Sequence, residues 1–295
     1  MNPQSMVNGK RRIIMETLQN KIDFAVVIAV QHANPNGDPL NGNRPRETYD
    51  GYGEISDVCL KRKIRNRMMD MGKSVFVQSD DKNTDGFASL KERVESIEEI
   101  KEAEKKKDDQ KFAETACRTW MDVRSFGQVF AFKGVDVSVG VRGPVSIHPA
   151  FSVSPVELTS LQITKSVNSV PGAKKSSDTM GMKHRVDFGV YVTYGSINCQ
   201  LAEKTGFTAE DAEVIKESLK TLFENDASSA RPEGSMAVVK LYWWKHNSKT
   251  GQYSSAKVHR TLHVVPEKEV PKSIEDYKIY HDELPGLTPE IYDEY

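Results

Sequence analysis

The chain has 295 residues, 38% hydrophobic and 28% charged, with a formal net charge of −1. That is enough for one large domain or two small ones with a real core; no apolar run approaches the roughly 20 residues that span a bilayer, and the short run at 13–14 is no signal-peptide core. Cys59, Cys117 and Cys199 are far apart and show no CxxC or Cys/His spacing, so neither a disulfide framework nor a zinc site is indicated, no cofactor is called for, and a reducing cytoplasm fits best.

The charge is unevenly spread. Residues 266–295 hold nine Asp/Glu against three Lys, a net of −6 that leaves +5 for residues 1–265. The cations of that remainder cluster at 44–67 and at 165–185. Such clusters suggest a polyanion, with a merely solvated face as the alternative for either.

Residues 1–16 read as a ragged extension. Residues 22–30 (IDFAVVIAV) are continuously apolar after Asp23 and rich in β-branched side chains, which predicts a central strand buried on both faces. The next twelve residues, 34–45, include nine Asn, Pro or Gly and predict a rigid loop whose exposed N–H groups can cradle phosphate. Ser56 then caps a helix with Leu60, Ile64, Met68 and Met71 inward. At about 100° per residue, Lys61 and Arg67 border that stripe while Arg62 and Arg65 face away from it, open to solvent or phosphate.

Residues 73–78 read as a short strand and 91–110 as a charge-laced helix or hinge. A second helix carries Phe112, Ala116, Trp120 and Val123 inward and ends near Gly127. Residues 124–130 (RSFGQVF) match the RNA-recognition RNP1 pattern only in part, and a helix end running into a loop is the better reading. Short β-like runs fill 135–164 and return at 186–197. The segment between them, rich in Ser, Gly and Lys, cannot bury a core and must project as a long hairpin or loop, with cations to hold a nucleic-acid backbone and Met180 to press on bases. Thr208 and Asp211 form a capping box for a helix over 209–225, with Ala212, Ile215, Leu219, Leu222 and Phe223 inward. Residues 236–244 and 257–264 read as strands about a turn at 247–251. This order fits an α+β, ferredoxin-like split βαβ core with insertions, and no GxGxxG or Walker A motif is present.

Several segments carry a family resemblance: NKIDFAVV at 20–27, NPNGDP at 34–39, NRPR at 43–46, DVCLKRKIRN at 57–66, DVRSFG at 122–127, TMGMKH at 179–184, TGF at 205–207 and KLY at 240–242. The sequence resembles the Cas-seven family, backbone subunits of the CRISPR Cascade surveillance complex, and specifically its Csd-type branch from type I-C systems. The resemblance covers about 17–265 and implies an RRM-like palm, an inserted helical fingers region at about 78–134 and a thumb hairpin at 165–187; the acidic tail at 266–295 falls outside it. It implies no catalysis: copies of the chain polymerise along a CRISPR guide RNA that pairs with target DNA, beside the guide-processing, large and small subunits of the complex. Transferred to this sequence, the palm candidates for RNA binding are Asn34, Asn36, Asn43, Arg44 and Arg46 of the loop with Lys61, Arg62 and Arg65 of the helix. The thumb candidates are Lys165, Lys174, Lys175 and Met180, followed by Lys183, His184 and Arg185. Because base pairing reads the sequence, such a protein need hold only phosphates and 2′-hydroxyls. The alternative is a metal-dependent endoribonuclease of the same superfamily using Asp38, with Glu47, Asp50, Glu54 and Asp57 as the nearby acids; an Asx-type turn bond is the plainer role for Asp38. A third reading is a free-standing single-strand RNA-binding module.

Overall fold

The computed structural model describes residues 16–132, 138–164 and 180–293. In chain order the elements are β1 (Ile22–Ala33), β2 (Gly37–Asp38), β3 (Arg44–Pro45), β4 (Tyr52–Ile55) and α1 (Asp57–Asp70). An inserted unit follows: α2 (Leu90–Glu95), α3 (Glu98–Lys105), α4 (Asp109–Thr119), α5 (Met121–Phe126), β5 (Gly127–Phe130) and β6 (Val139–Arg142). Then come β7 (Val145–Ile147), β8 (Ala150–Pro155), β9 (Leu158–Thr164), β10 (Met180–Ile197), α6 (Cys199–Thr205), α7 (Ala209–Lys220) and β11 (Met236–Lys245). The chain closes with α8 (Ser255–His259), β12 (Leu262–Pro266), β13 (Tyr277–His281) and β14 (Glu290–Asp293). No helix among the described residues is long and apolar enough to cross a membrane.

The expected central strand is the axis of the molecule. In the antiparallel sheet β14-β11-β1-β10-β8-β4, β1 lies between β11 and β10, and β7 and β9 also pair with β10. Its continuous apolar run is explained by layers on both faces. Phe24, Val26, Ile28 and Val30 pack with Leu60 and Ile64 of α1 and Ile215 and Leu219 of α7, whereas Ala25 and Val27 pack with Val258, Leu262 and Tyr277. Each large side chain so buried contributes about 1.5–3 kcal/mol. Asp23, at the start of this strand, is also fully buried, and it is tied to Lys21 at 3.0 Å and to His246 at 2.8 Å.

The inserted unit has a core of its own, in which Phe76, Phe112, Trp120, Val123 and Phe130 meet. Residues 73–78, read from the sequence as a short strand, do not form one. Val75 enters the main core and Phe76 the inserted one, and the Phe76 and Val77 N–H groups donate to the buried Asp122 carboxylate at 2.6 and 3.1 Å instead of to a neighbouring strand. The charged run 91–110 is likewise broken: Ser96 caps α2, Lys107 adopts φ 52°, and Asp108 accepts from the Lys111 N–H to begin α4.

Three further expectations are corrected. Residues 257–264 begin as a helix, because the Ser254 hydroxyl accepts from the Lys257 N–H and starts α8. The helix from 209 stops at Lys220, its Thr208/Asp211 capping box as expected, while Leu222 remains buried and Phe223 half-buried beyond its end. Met71 is the half-buried cap of α1 rather than a core residue. The acidic stretch from 266 folds back: β13 pairs with β12 and β14 with β11, where Lys216 Nζ reaches Glu290 Oε2 at 3.0 Å.

Candidate nucleic-acid interface

The loop after β1 is built by its asparagines. His32 (φ 52°) turns the strand end, β2 and β3 pair across the loop, and Gly42 (φ 59°) and Asn43 (φ 60°) are successive left-handed residues. A Cβ at Gly37 would stand 1.9 Å from the Asn43 side chain, which would have to move to admit it. Asn34 is buried, its Nδ2 donating to the Asn43 carbonyl at 2.7 Å and its backbone N–H to the Ala230 carbonyl at 2.9 Å. Asn36 Oδ1 accepts from both the Ser56 N–H (2.9 Å) and hydroxyl (2.7 Å), which fastens the loop to the N-cap of α1. Of the loop candidates, Asn43 is exposed, Arg44 and Arg46 are half-exposed, and Asn34 and Asn36 point into the protein.

Helix α1 also departs from expectation. Arg65 turns inward: Nε donates to Asp122 Oδ2 at 2.8 Å, and the guanidinium lies 5.1 Å from the Phe126 ring centroid. The physical reason is Asp122, a fully buried carboxylate that needs a cation. Lys63 is buried against Asp226; burial pushes its ammonium below the usual lysine pKa, and Asp226 opposes that shift. Arg67 meets Asp70 and Glu224, and Lys61 meets Asp57 at 3.1 Å. Among the described residues Arg62 is the one cation of this helix with no ion pair, and it is half-exposed.

Of the expected projecting segment, residues 180–185 are described, and they lie in a strand of a hairpin. β9 and β10 pair from Leu158↔Val186 to Thr164↔Met180. Residues opposite each other in an antiparallel pair share a face, and neighbours along a strand alternate. Met180, Met182 and His184 therefore lie on one face, where Gln162 Nε2 donates to Met180 Sδ and Ser160 Oγ lies 2.8 Å from His184 Nδ1. Lys183 and Arg185 lie on the other face. Both methionines are half-exposed, at 52% and 55%. Lys165, Lys174 and Lys175 lie outside the described residues.

Loop and hairpin base meet. Ala33 of β1 is opposite Val186 of β10, β3 packs on β10, and His32 Nδ1 is 3.7 Å from Asp187 Oδ1. The Asp187 carboxylate accepts from the Thr159 hydroxyl at 2.6 Å and from Arg185 Nε at 3.1 Å. The Thr159 bond is the main cause holding its pKa below the usual value; slight burial opposes it and Arg185 adds to it. Asp122 and Asp226, which hold Arg65 and Lys63, were missed in the sequence: they lie 57 and 163 residues from these partners, and no local pattern links them.

Asp38 caps a short 3-10 turn, accepting from the Leu40 N–H at 3.2 Å, and stands 3.5 Å from Arg46. Among the described residues no three His, Cys, Asp or Glu side chains form a group that could hold a metal ion. Arg124 of the partial RNP1 match is bidentate to Asp211, at 2.8 Å on both arms, in a helix that ends at Gly127.

A curated relative from Haloferax volcanii, "CRISPR-associated protein Cas7", is 27% identical over 216 residues, 67% of this chain, and the match spans 62% of that relative's length. Among solved structures, a chain of a "CRISPR RNA-guided surveillance complex, pre-nicking" aligns over 76% of this chain and 78% of its own, with 15% identity and a TM-score of 0.47. A chain of a "CRISPR RNA-guided surveillance complex" aligns over 76% and 68%, with 16% identity and a TM-score of 0.42. The family model described as CRISPR-associated protein Cas7 matches residues 20–282, and the chain belongs to that family.

Proposed function

We propose that this chain is a non-catalytic backbone subunit that binds a CRISPR guide RNA, with copies repeating along the guide in a type I-C Cascade complex and supporting its pairing with target DNA. In this reading the main sheet with α1 and α7 is the RRM-like palm, the inserted unit the fingers and β9/β10 the thumb, and the guide-processing, large and small subunits complete the assembly. The observation that carries it is the junction of two remote cationic regions, loop 34–46 and the base of the hairpin, around Ala33 and Val186. Arg44, Arg46, Lys61, Arg62, Lys183 and Arg185 meet phosphates, joined by Lys165, Lys174 and Lys175. Asn43, Met180 and His184 contact sugar and bases, while Asn34, Asn36 and Arg65 hold the loop and helix in place beneath them.

Phosphate contacts make affinity fall with salt. Replacing Arg44, Arg62 and Lys183 together by Ala is expected to flatten the slope of log K against log salt by about 0.7 for each lost contact to single-stranded RNA. An unchanged slope would sink the assignment. The rival reading has its own test: RNA cleavage that needs a divalent cation and is lost in Asp38→Ala would make the chain a nuclease.

A further inference from the structure

The outermost strand of the main sheet is lightly anchored. β14 pairs residues 290–293 with 240–243, so it covers four of the ten residues of β11. The chain leading to it is fastened as far as Leu287, which is buried; Tyr253 Oη donates to the Pro285 carbonyl at 2.9 Å and Gln252 Nε2 to the Gly286 carbonyl at 2.6 Å. From 288 to 293 every residue is exposed or half-buried. A short strand held by surface contacts opens at a lower free energy than the buried sheet beside it.

What β14 covers is cationic and aromatic. Lys216 of α7 is buried beneath it, with Nζ 2.8 Å from Glu213 Oε2, 3.0 Å from Glu290 Oε2 and 5.4 Å from the Trp243 ring centroid. The Tyr292 ring centroid lies 5.7 Å from Lys216 Nζ and 4.9 Å from Lys220 Nζ, and the Tyr292 hydroxyl donates to Glu290 at 2.7 Å. Strand alternation sets this layout: Glu290 and Tyr292, opposite Trp243 and Leu241, face α7, while Asp293 turns to the other face and pairs with Lys240. The edge of β11 adds a row of backbone N–H and C=O groups. A phosphate chain would satisfy the lysines and leave that row unpaired, whereas an extended polypeptide bearing carboxylates satisfies both.

We infer that the outer edge of β11 is a strand-accepting site for a partner protein, and that β14 is the intramolecular occupant which such a partner displaces. The occupant defines the chemistry that fits: an extended acidic segment with two carboxylates three residues apart, for Lys216 and Lys240, and an aromatic ring just before the second, to lie on the lysines of α7. A longer strand of this kind gains over β14 by pairing with the part of β11 that β14 leaves uncovered. The inference is independent of the RNA reading, because β11 and β14 lie on one side of β1 and the hairpin strand β10 on the other.

The test keeps the full chain. Glu290→Gln, Tyr292→Ala and Asp293→Asn are combined to loosen β14, and a fluorescent peptide with the sequence of residues 286–293 is titrated in. In the wild type β14 competes from its own chain at an effective concentration of about millimolar. The loosened chain is therefore expected to bind the peptide at least about tenfold more tightly than the wild type, and a scrambled peptide no better than the wild type does. Adding Lys216→Ala or Lys240→Ala to the loosened chain should weaken that binding about tenfold. A loosened chain that takes up no more peptide than the wild type overturns the inference. So does one that gains single-stranded RNA in place of peptide, the occupant then being a nucleic acid. Amide exchange in the wild-type chain decides the matter if the loosened chain does not fold: the slowest amide of 290–293 should exchange at least about tenfold faster than the slowest of β1. A common rate would make β14 a fixed member of the sheet and leave no site to open.

Discussion

Helix α1 and the β9/β10 hairpin carry similar cations and use them in opposite ways. In the helix, Lys63, Arg65 and Arg67 are drawn into the protein by Asp226, Asp122 and Glu224, acids that arrive from α5 and from the segment after α7. In the hairpin, among the described residues, no second layer lies over the outer part of β9 and Lys183 meets no acid. A basic run beside a core is recruited to neutralise buried carboxylates, whereas the same run on an uncovered ribbon stays available to a ligand. Charge in the sequence is therefore a weaker sign of binding than charge without a layer above it.

The comparison breaks first at Asp122. Its carboxylate holds Arg65 and the N–H groups of Phe76 and Val77, joining helix, crossover and inserted unit. Asp122→Ala is expected to lower unfolding stability by about 3–5 kcal/mol, because a cation and two donors are left without an acceptor. Urea denaturation measures it, and a loss below about 1 kcal/mol would mean the pair is solvated and α1 no different from the hairpin. Asn36→Ala removes two bonds at the N-cap of α1 and should cost about 2 kcal/mol. It should also lower RNA affinity by freeing the loop, an effect that wild-type affinity in the variant would exclude. The paired change Met180→Ala and Met182→Ala tests the other side: thermal stability should move by no more than about 0.5 kcal/mol, since both are exposed, while RNA affinity falls severalfold. A large loss of stability would show that the ribbon is part of the fold and not a free arm.

How much of this was legible follows from how local each signal is. The apolar run of β1, the Ser56 cap, the Thr208/Asp211 box and the loop of Asn, Pro and Gly are all written within a few residues, and each stands where it was expected. Arg65 was misread because its partner lies 57 residues away, and a helical wheel computed from one stripe cannot see a second core behind the helix. Residues 73–78 misled for the same reason: two cores, one on each side, draw Val75 and Phe76 apart without a strand between them. Lys183, His184 and Arg185, read from the sequence as one group of binding residues, do not share a face. Strand alternation sends His184 to the methionine face and the two cations to the opposite one.

The smallest expected effect is also the most local. Asp187 ties the hairpin base to β1 through Thr159, Arg185 and the neighbouring His32. Its carboxyl sits below the usual value of 3.8, chiefly because the Thr159 hydroxyl donates to the ionised form. A lowered carboxyl pKa in the folded state means that the tie is present above 3.8 and is lost as the pH falls through the lowered value. Thr159→Val removes the donor at nearly constant shape, so the Asp187 titration followed by carbon NMR should move up toward the ordinary range. Arg185 would still hold the carboxylate, and the remaining shift measures that contact. If Thr159→Val leaves the titration in place, the hydroxyl bond is not what clamps the hairpin, and the base of this arm is held by strand pairing at Leu158↔Val186 instead.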